Sequence, residues 1–161
     1  MWQKLADVLK EITGYYQKLL QLGQKKRRIL VQVDLKSLEQ LLKEETRLIE
    51  AIHQAEKKRQ DILVQLSRQE SHIRPDTKLA ELCQYSPSPA MTAVLMRLHQ
   101  ELDQLIADVK QAGSDNHLLV SSALSAVHYQ LNRLGNASVE PAYGSGGKEM
   151  ISHQKNFDFH A

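Results

Sequence analysis

The sequence predicts an all-α fold, an elongated antiparallel bundle of three long, coiled-coil-like helices with a short connecting helix and a flexible C-terminal tail. Three observations carry this expectation. Only 7 Gly and 4 Pro occur in 161 residues, so little punctuates the chain. Leucines recur at spacings of three and four over long stretches. Sustained period-two alternation with β-branched enrichment, the mark of strands, is absent from the sequence.

The first helix is predicted over residues 2–31. Leu5, Val8, Leu9, Ile12, Tyr15, Tyr16, Leu19 and Leu22 stack on one face, as a 3.6-residue period requires. Gly14 and Gly23 weaken it locally, each by about 1 kcal/mol relative to Ala. Asp34 then offers an N-cap oxygen for a second helix, over residues 35–71. Its apolar series includes Leu38, Leu41, Leu42, Leu48, Ile49, Ile52, Ala55, Ile62, Leu63 and Leu66. Of these, Leu38, Leu42, Ile49, Ile52, Leu63 and Leu66 are expected in the core. Pro75 ends the run, because the residue before a proline is pushed out of the α region. Asp76 and Thr77 can cap a short helix over residues 78–83. Ser86-Pro87-Ser88-Pro89 is a turn, and a proline suits the first position of the next helix.

The third helix is predicted over residues 90–134. Gln111-Ala112-Gly113-Ser114-Asp115 has the composition of a helix end and a fresh cap, but phase decides for continuity. At 100° per residue, Leu95 to Val109 fall within an arc of roughly 120°, and Leu119 to Leu134 within roughly 160° about nearly the same centre. A break would reset that phase. Residues 1–135 are therefore expected to form one helical domain. Residues 136–161, with Pro141, Gly144, Gly146 and Gly147 and no periodic apolar pattern, form the expected tail.

Composition limits function. The net charge is only +2, which gives no general attraction to nucleic acid. Residues 1–74 carry +5, residues 75–135 carry −2 and the tail −1, so the third helix is the least charged. Cys83 is alone, which removes disulfides and CxxC metal knuckles. No stretch of about 18 apolar residues exists to enter a membrane as a span, and residues 1–16 carry charges where a signal peptide needs an apolar segment. A cytoplasmic location is expected.

Catalytic and metal chemistry finds little support. Glu50-Ala51-Ile52-His53 has the ExxH spacing of di-iron bundles, but those sites need a second ExxH and two more inward carboxylates. No two of the seven histidines sit four apart on one helix. Cys83 between apolar neighbours reads as a buried, inert thiol. No enzyme, metal or cofactor is expected. Lys25-Lys26-Arg27-Arg28 is the one dense basic run. It would attract phosphate, but no stacking aromatic accompanies it, so it reads as a solvated helical segment.

The stripe of Leu119, Val120, Ala123, Leu124, Val127, Leu131 and Leu134 is wider than the arc of about 100° that one face in a bundle covers. Surplus apolar width on a helix is a means of holding another amphipathic helix. Ser121, Ser122, Ser125 and Ala126 would permit close approach.

Three features together resemble the FlgN-type flagellar export chaperones. They are the Val33-Asp34-Leu35-Lys36-Ser37-Leu38 start of the second helix, Leu102…Asn116-His117-Leu118-Leu119…Leu124 in the third, and Tyr143-Gly144-Ser145-Gly146-Gly147 beyond it. Members typically carry Asn or Gly where this chain has His117. The resemblance implies a cytoplasmic, ATP-independent chaperone that holds the amphipathic terminal segment of hook–filament junction (hook-associated) proteins. It further implies delivery to the cytosolic domain of the flagellar type III export gate, with Tyr143 engaging that gate. The competing expectation is a structural coiled-coil protein that self-associates through the same stripe and has no client. Either a monomer or a homodimer is compatible with the pattern.

Overall fold

In the computed structural model, residues 1–137 are described, and among them every regular element is helical. Helix α1 is Trp2–Gln32, α2 is Leu35–Gln69, α3 is the single turn Leu79–Leu82, continued by a 3-10 turn at Cys83–Tyr85, and α4 is Pro89–Ala137. By backbone contacts the chain divides into Met1–Ser122 and Ala123–Ala161.

Within Met1–Ser122, α1 and α2 form an antiparallel hairpin. Two residues join them. Val33 adopts the left-handed conformation, φ 55° and ψ 34°. The Val33 N–H donates to the Leu30 carbonyl and the Asp34 N–H to the Ile29 carbonyl, both at 3.2 Å, a Schellman closure. Asp34 then accepts from the Ser37 N–H at 3.1 Å, as expected of the α2 cap. Lys58 with Glu11 at 3.1 Å and Lys26 with Glu45 at 2.8 Å tie the two helices side by side. Helix α4 starts with Pro89 in its first position, and the Ser88 hydroxyl accepts from the Met91 N–H at 3.2 Å. It runs in the direction of α1, because Gln17 meets Glu101 and Arg27 meets Asp115.

The core lies where α1 begins, α2 ends and α4 begins. Leu5, Leu9 and Ile12 of α1, Ala55, Leu63 and Leu66 of α2, Ile73, Leu82 and Cys83 of the connection, and Leu95, Leu98 and Leu102 of α4 are buried together. Thr77 does not cap α3. Its hydroxyl accepts from the Arg74 N–H at 2.9 Å inside the connecting loop, and Lys78 takes the cap position without a side-chain bond.

Ile52, Leu63 and Leu66 are buried as expected. Leu38 is half-buried, and Leu42 and Ile49 are 42% and 40% exposed, so neither of the last two belongs to the core. The reason is angular. The seam of α2 is centred on Leu41, which is buried, and Leu42 and Ile49 stand about 80–100° from it. An i, i+4 pattern alone cannot distinguish the flank of a seam from its centre. Leu66→Ala should therefore destabilise the protein by about 2–5 kcal/mol. Leu42→Ala should cost a fraction of that, and equal losses in chemical denaturation would contradict this placement.

Glu11 accepts from Lys58 and from the Tyr15 hydroxyl. These bonds, the Lys58 one first, hold its carboxyl below the ordinary value near 4.5. A carboxylate depressed in the folded state stabilises fully above its unfolded pKa and ceases to as pH falls through the folded one. The pair is partly exposed, so its contribution is small. The difference in Tm between the wild type and Glu11→Gln should be present at neutral pH and close below about pH 4. A difference that widens in acid would rule this pairing out.

Candidate interaction surface

Helix α4 continues through Gly113 without interruption, which agrees with the phase count. Within Met1–Ser122, Asn116 fixes the level at which α4 meets α1. Its side-chain N–H donates to the Gly23 carbonyl at 2.9 Å. The residue is 6% exposed, and its Oδ1 is buried without a hydrogen-bond partner. The helices come close here: a Cβ at Gly23 would stand 3.4 Å from that of Ala112, in van der Waals contact with it. Reading Gly23 only as a weak point in α1 missed this contact with α4. The signal was available as Gly23 on one helix and Ala112-Gly113 on another, but only the packed register pairs them.

Next to Asn116 is a shallow apolar groove walled by Leu30 of α1, Ile49 of α2, and Val109, Ala112 and Val120 of α4. Val120 is 39% exposed and Leu119 is half-buried. The start of the expected stripe thus belongs to a partly covered surface.

Within Ala123–Ala161, the described residues are the helical segment 123–137, and every side chain described there, through residue 135, is exposed. Leu124, Val127, Leu131 and Leu134 range from 53% to 67% exposed. They share the phase of Leu95, Leu98 and Leu102, which are buried in the core. Leu118 and Tyr129, both 61% exposed, escaped the sequence reading because they lie off the stripe, roughly opposite Val127 by the 100° count. Residues 136 and 137 of the expected 136–161 tail continue α4, and Tyr143 with the rest of that tail lies outside the described residues.

Such a surface has no reactive centre. What it can do is bury aliphatic side chains, each worth about 1.5–3 kcal/mol when fully covered. Elsewhere, Glu50 and His53 are both exposed. Among the described residues no three His, Cys, Asp or Glu side chains are grouped to hold a metal ion. Cys83 is buried, and desolvation pushes its thiol up from the ordinary value, which disfavours the reactive thiolate. No described helix is long and apolar enough to cross a membrane.

No curated protein and no solved structure is matched by the chain. Residues 1–150 match the family described as FlgN protein. The match extends over all four helices and beyond the end of α4, and on it the chain belongs to the FlgN family of flagellar export chaperones.

Proposed function

We propose that this chain is a cytoplasmic, ATP-independent export chaperone whose client is the amphipathic terminal segment of a hook–filament junction protein. The observation that supports it most is the open apolar face of α4, with Leu124, Val127, Leu131 and Leu134 all more than half exposed. An axial protein awaiting export must stay unfolded and unpolymerised, and its apolar segment needs a temporary cover. Membership of the FlgN family suggests the same role.

In this reading the client's helix lies along Leu119, Val120, Ala123, Leu124, Val127, Leu131 and Leu134. Binding uses burial alone and needs no catalysis or cofactor. The three long helices act as the scaffold, with residues 1–135 as the working domain and 136–161 as an appendage carrying Tyr143. That tyrosine is proposed to anchor the loaded chaperone to the cytosolic domain of the export gate, since aromatic anchors are frequent binding hot spots.

Two measurements test the two contacts separately. Val127→Asp or Leu131→Asp should weaken binding of a junction-protein terminal peptide at least about tenfold, because each removes apolar burial and buries a charge. Both positions are exposed, so the helical spectrum and Tm should stay unchanged. Normal peptide binding by either variant would remove the stripe from this role, and collapse of the fold would mean that the stripe is ordinary core. If instead the variants convert a dimer into a monomer, the stripe serves self-association. For the gate, Tyr143→Ala should leave the peptide affinity intact and reduce binding to the export-gate cytosolic domain, and an unchanged gate affinity would remove Tyr143 from this role.

A further inference from the structure

Client and gate binding leave one conspicuous region unused, the turn of the α1–α2 hairpin. Val31, Val33 and Leu35 are 65%, 74% and 71% exposed, and Val33 and Leu35 are the two most exposed large apolar side chains among the described residues. Val33 is moreover the one described non-glycine residue with positive φ. That conformation ordinarily selects Gly or Asn, and a β-branched side chain is strained in it. The left-handed backbone closes α1, but a glycine or asparagine would close it with less strain, and the exposed valine side chain adds nothing to the fold. Such an outlier points toward a use outside it.

The same end is basic. Residues 24–36 hold five basic side chains, Lys25, Lys26, Arg27, Arg28 and Lys36, against the single acid Asp34. Asp34 is engaged on the Ser37 N–H. Lys26 is paired with Glu45, and Arg27 reaches Asp115 only at 3.5 Å. Lys25, Arg28 and Lys36 are exposed and form none of the ion pairs found among the described residues. At 1.5 Å per residue, Arg28 lies about 4–8 Å along the helix from Val31 and Val33, well within reach of a long side chain that follows a surface.

We propose that this turn docks the protein on an anionic lipid bilayer, with Val31, Val33 and Leu35 at the acyl boundary and Lys25, Arg28 and Lys36 among the headgroups. Charge and shape choose this occupant. A nucleic acid would use the cations but leave the aliphatic side chains in water, and residues 24–36 contain no aromatic for base stacking. A partner helix needs a trough, whereas a two-residue turn capping two helices is convex. A bilayer deforms around a convex wedge and rewards apolar and cationic groups together. The contact is peripheral, at headgroup depth, and requires no spanning segment.

The test is co-flotation of the full chain with vesicles of phosphatidylglycerol and phosphatidylethanolamine, and with vesicles of phosphatidylcholine. Binding is expected on the anionic vesicles only, and it should fall as salt rises from about 0.05 to about 0.5 M, which shortens the screening length severalfold. Lys25→Gln with Arg28→Gln should reduce partitioning on the order of tenfold or more. Val31→Gln, Val33→Asn and Leu35→Gln together leave every charge in place. They should still reduce partitioning on the order of tenfold, with the helical spectrum and the hydrodynamic size unchanged. Equal binding to both vesicle types, or to neither, overturns the proposal. So does an apolar variant that floats like the wild type, or one whose loss of flotation accompanies a change of oligomeric state. Tight binding of single-stranded RNA that ignores the apolar substitutions would make the turn a nucleic-acid site instead.

Discussion

Counted at 100° per residue, the apolar residues of α4 hold one phase from Leu95 to Leu134, and the proposed chemistry of this protein depends on only some of them being covered. Leu95, Leu98 and Leu102 spend their apolar surface on α1 and α2. Leu124, Val127, Leu131 and Leu134 are each more than half exposed. The hydrophobic effect is non-directional, so an open apolar face takes whatever complementary helix reaches it. Direction and register come from the scaffold. Asn116 on the Gly23 carbonyl sets the level of α4 against α1. A buried amide bonded there costs more to slide than an aliphatic contact would, because a slip leaves the Asn116 N–H without its acceptor.

Much of this was legible in residue spacing. The start of α1, the Asp34 cap, the Pro89 start of α4 and the continuity through Gly113 follow from local chemistry and a 100° period, and each is observed. Leu42 and Ile49 were not, because their position on the flank of the α2 seam depends on where α1 and α4 sit. Thr77 was assigned to a cap and instead closes its own loop, a competition that short-range rules leave open. The Gly23–Ala112 approach and the Asn116 amide belong to tertiary register, with 93 residues between the hydrogen-bonded partners. Leu118 and Tyr129 lie off the phase of the one stripe, so periodicity does not single them out.

The two ends of the α1–α2 hairpin differ in what they bury. At the end where α1 begins, the connection from Ile73 to Cys83 closes the core. At the turn, cover is thin: Val31, Val33 and Leu35 are exposed and the basic residues concentrate there. The surplus of positive charge in residues 1–74 is thus largely a property of one turn. Two unlike surfaces result, an aliphatic face on weakly charged α4 and a cationic, aliphatic-tipped turn. The first is the proposed client surface and the second the proposed bilayer contact, and they can be altered independently.

The central claim is that the apolar face of α4 exists to be covered by a client. Amide hydrogen exchange, residue by residue, with and without a saturating terminal peptide from a hook–filament junction protein, tests it most directly. The account predicts new protection concentrated in residues 119–134, with little change across α1 and α2, since an exposed helix frays more readily than a packed one. Unchanged exchange in residues 119–134 under saturating peptide would contradict it.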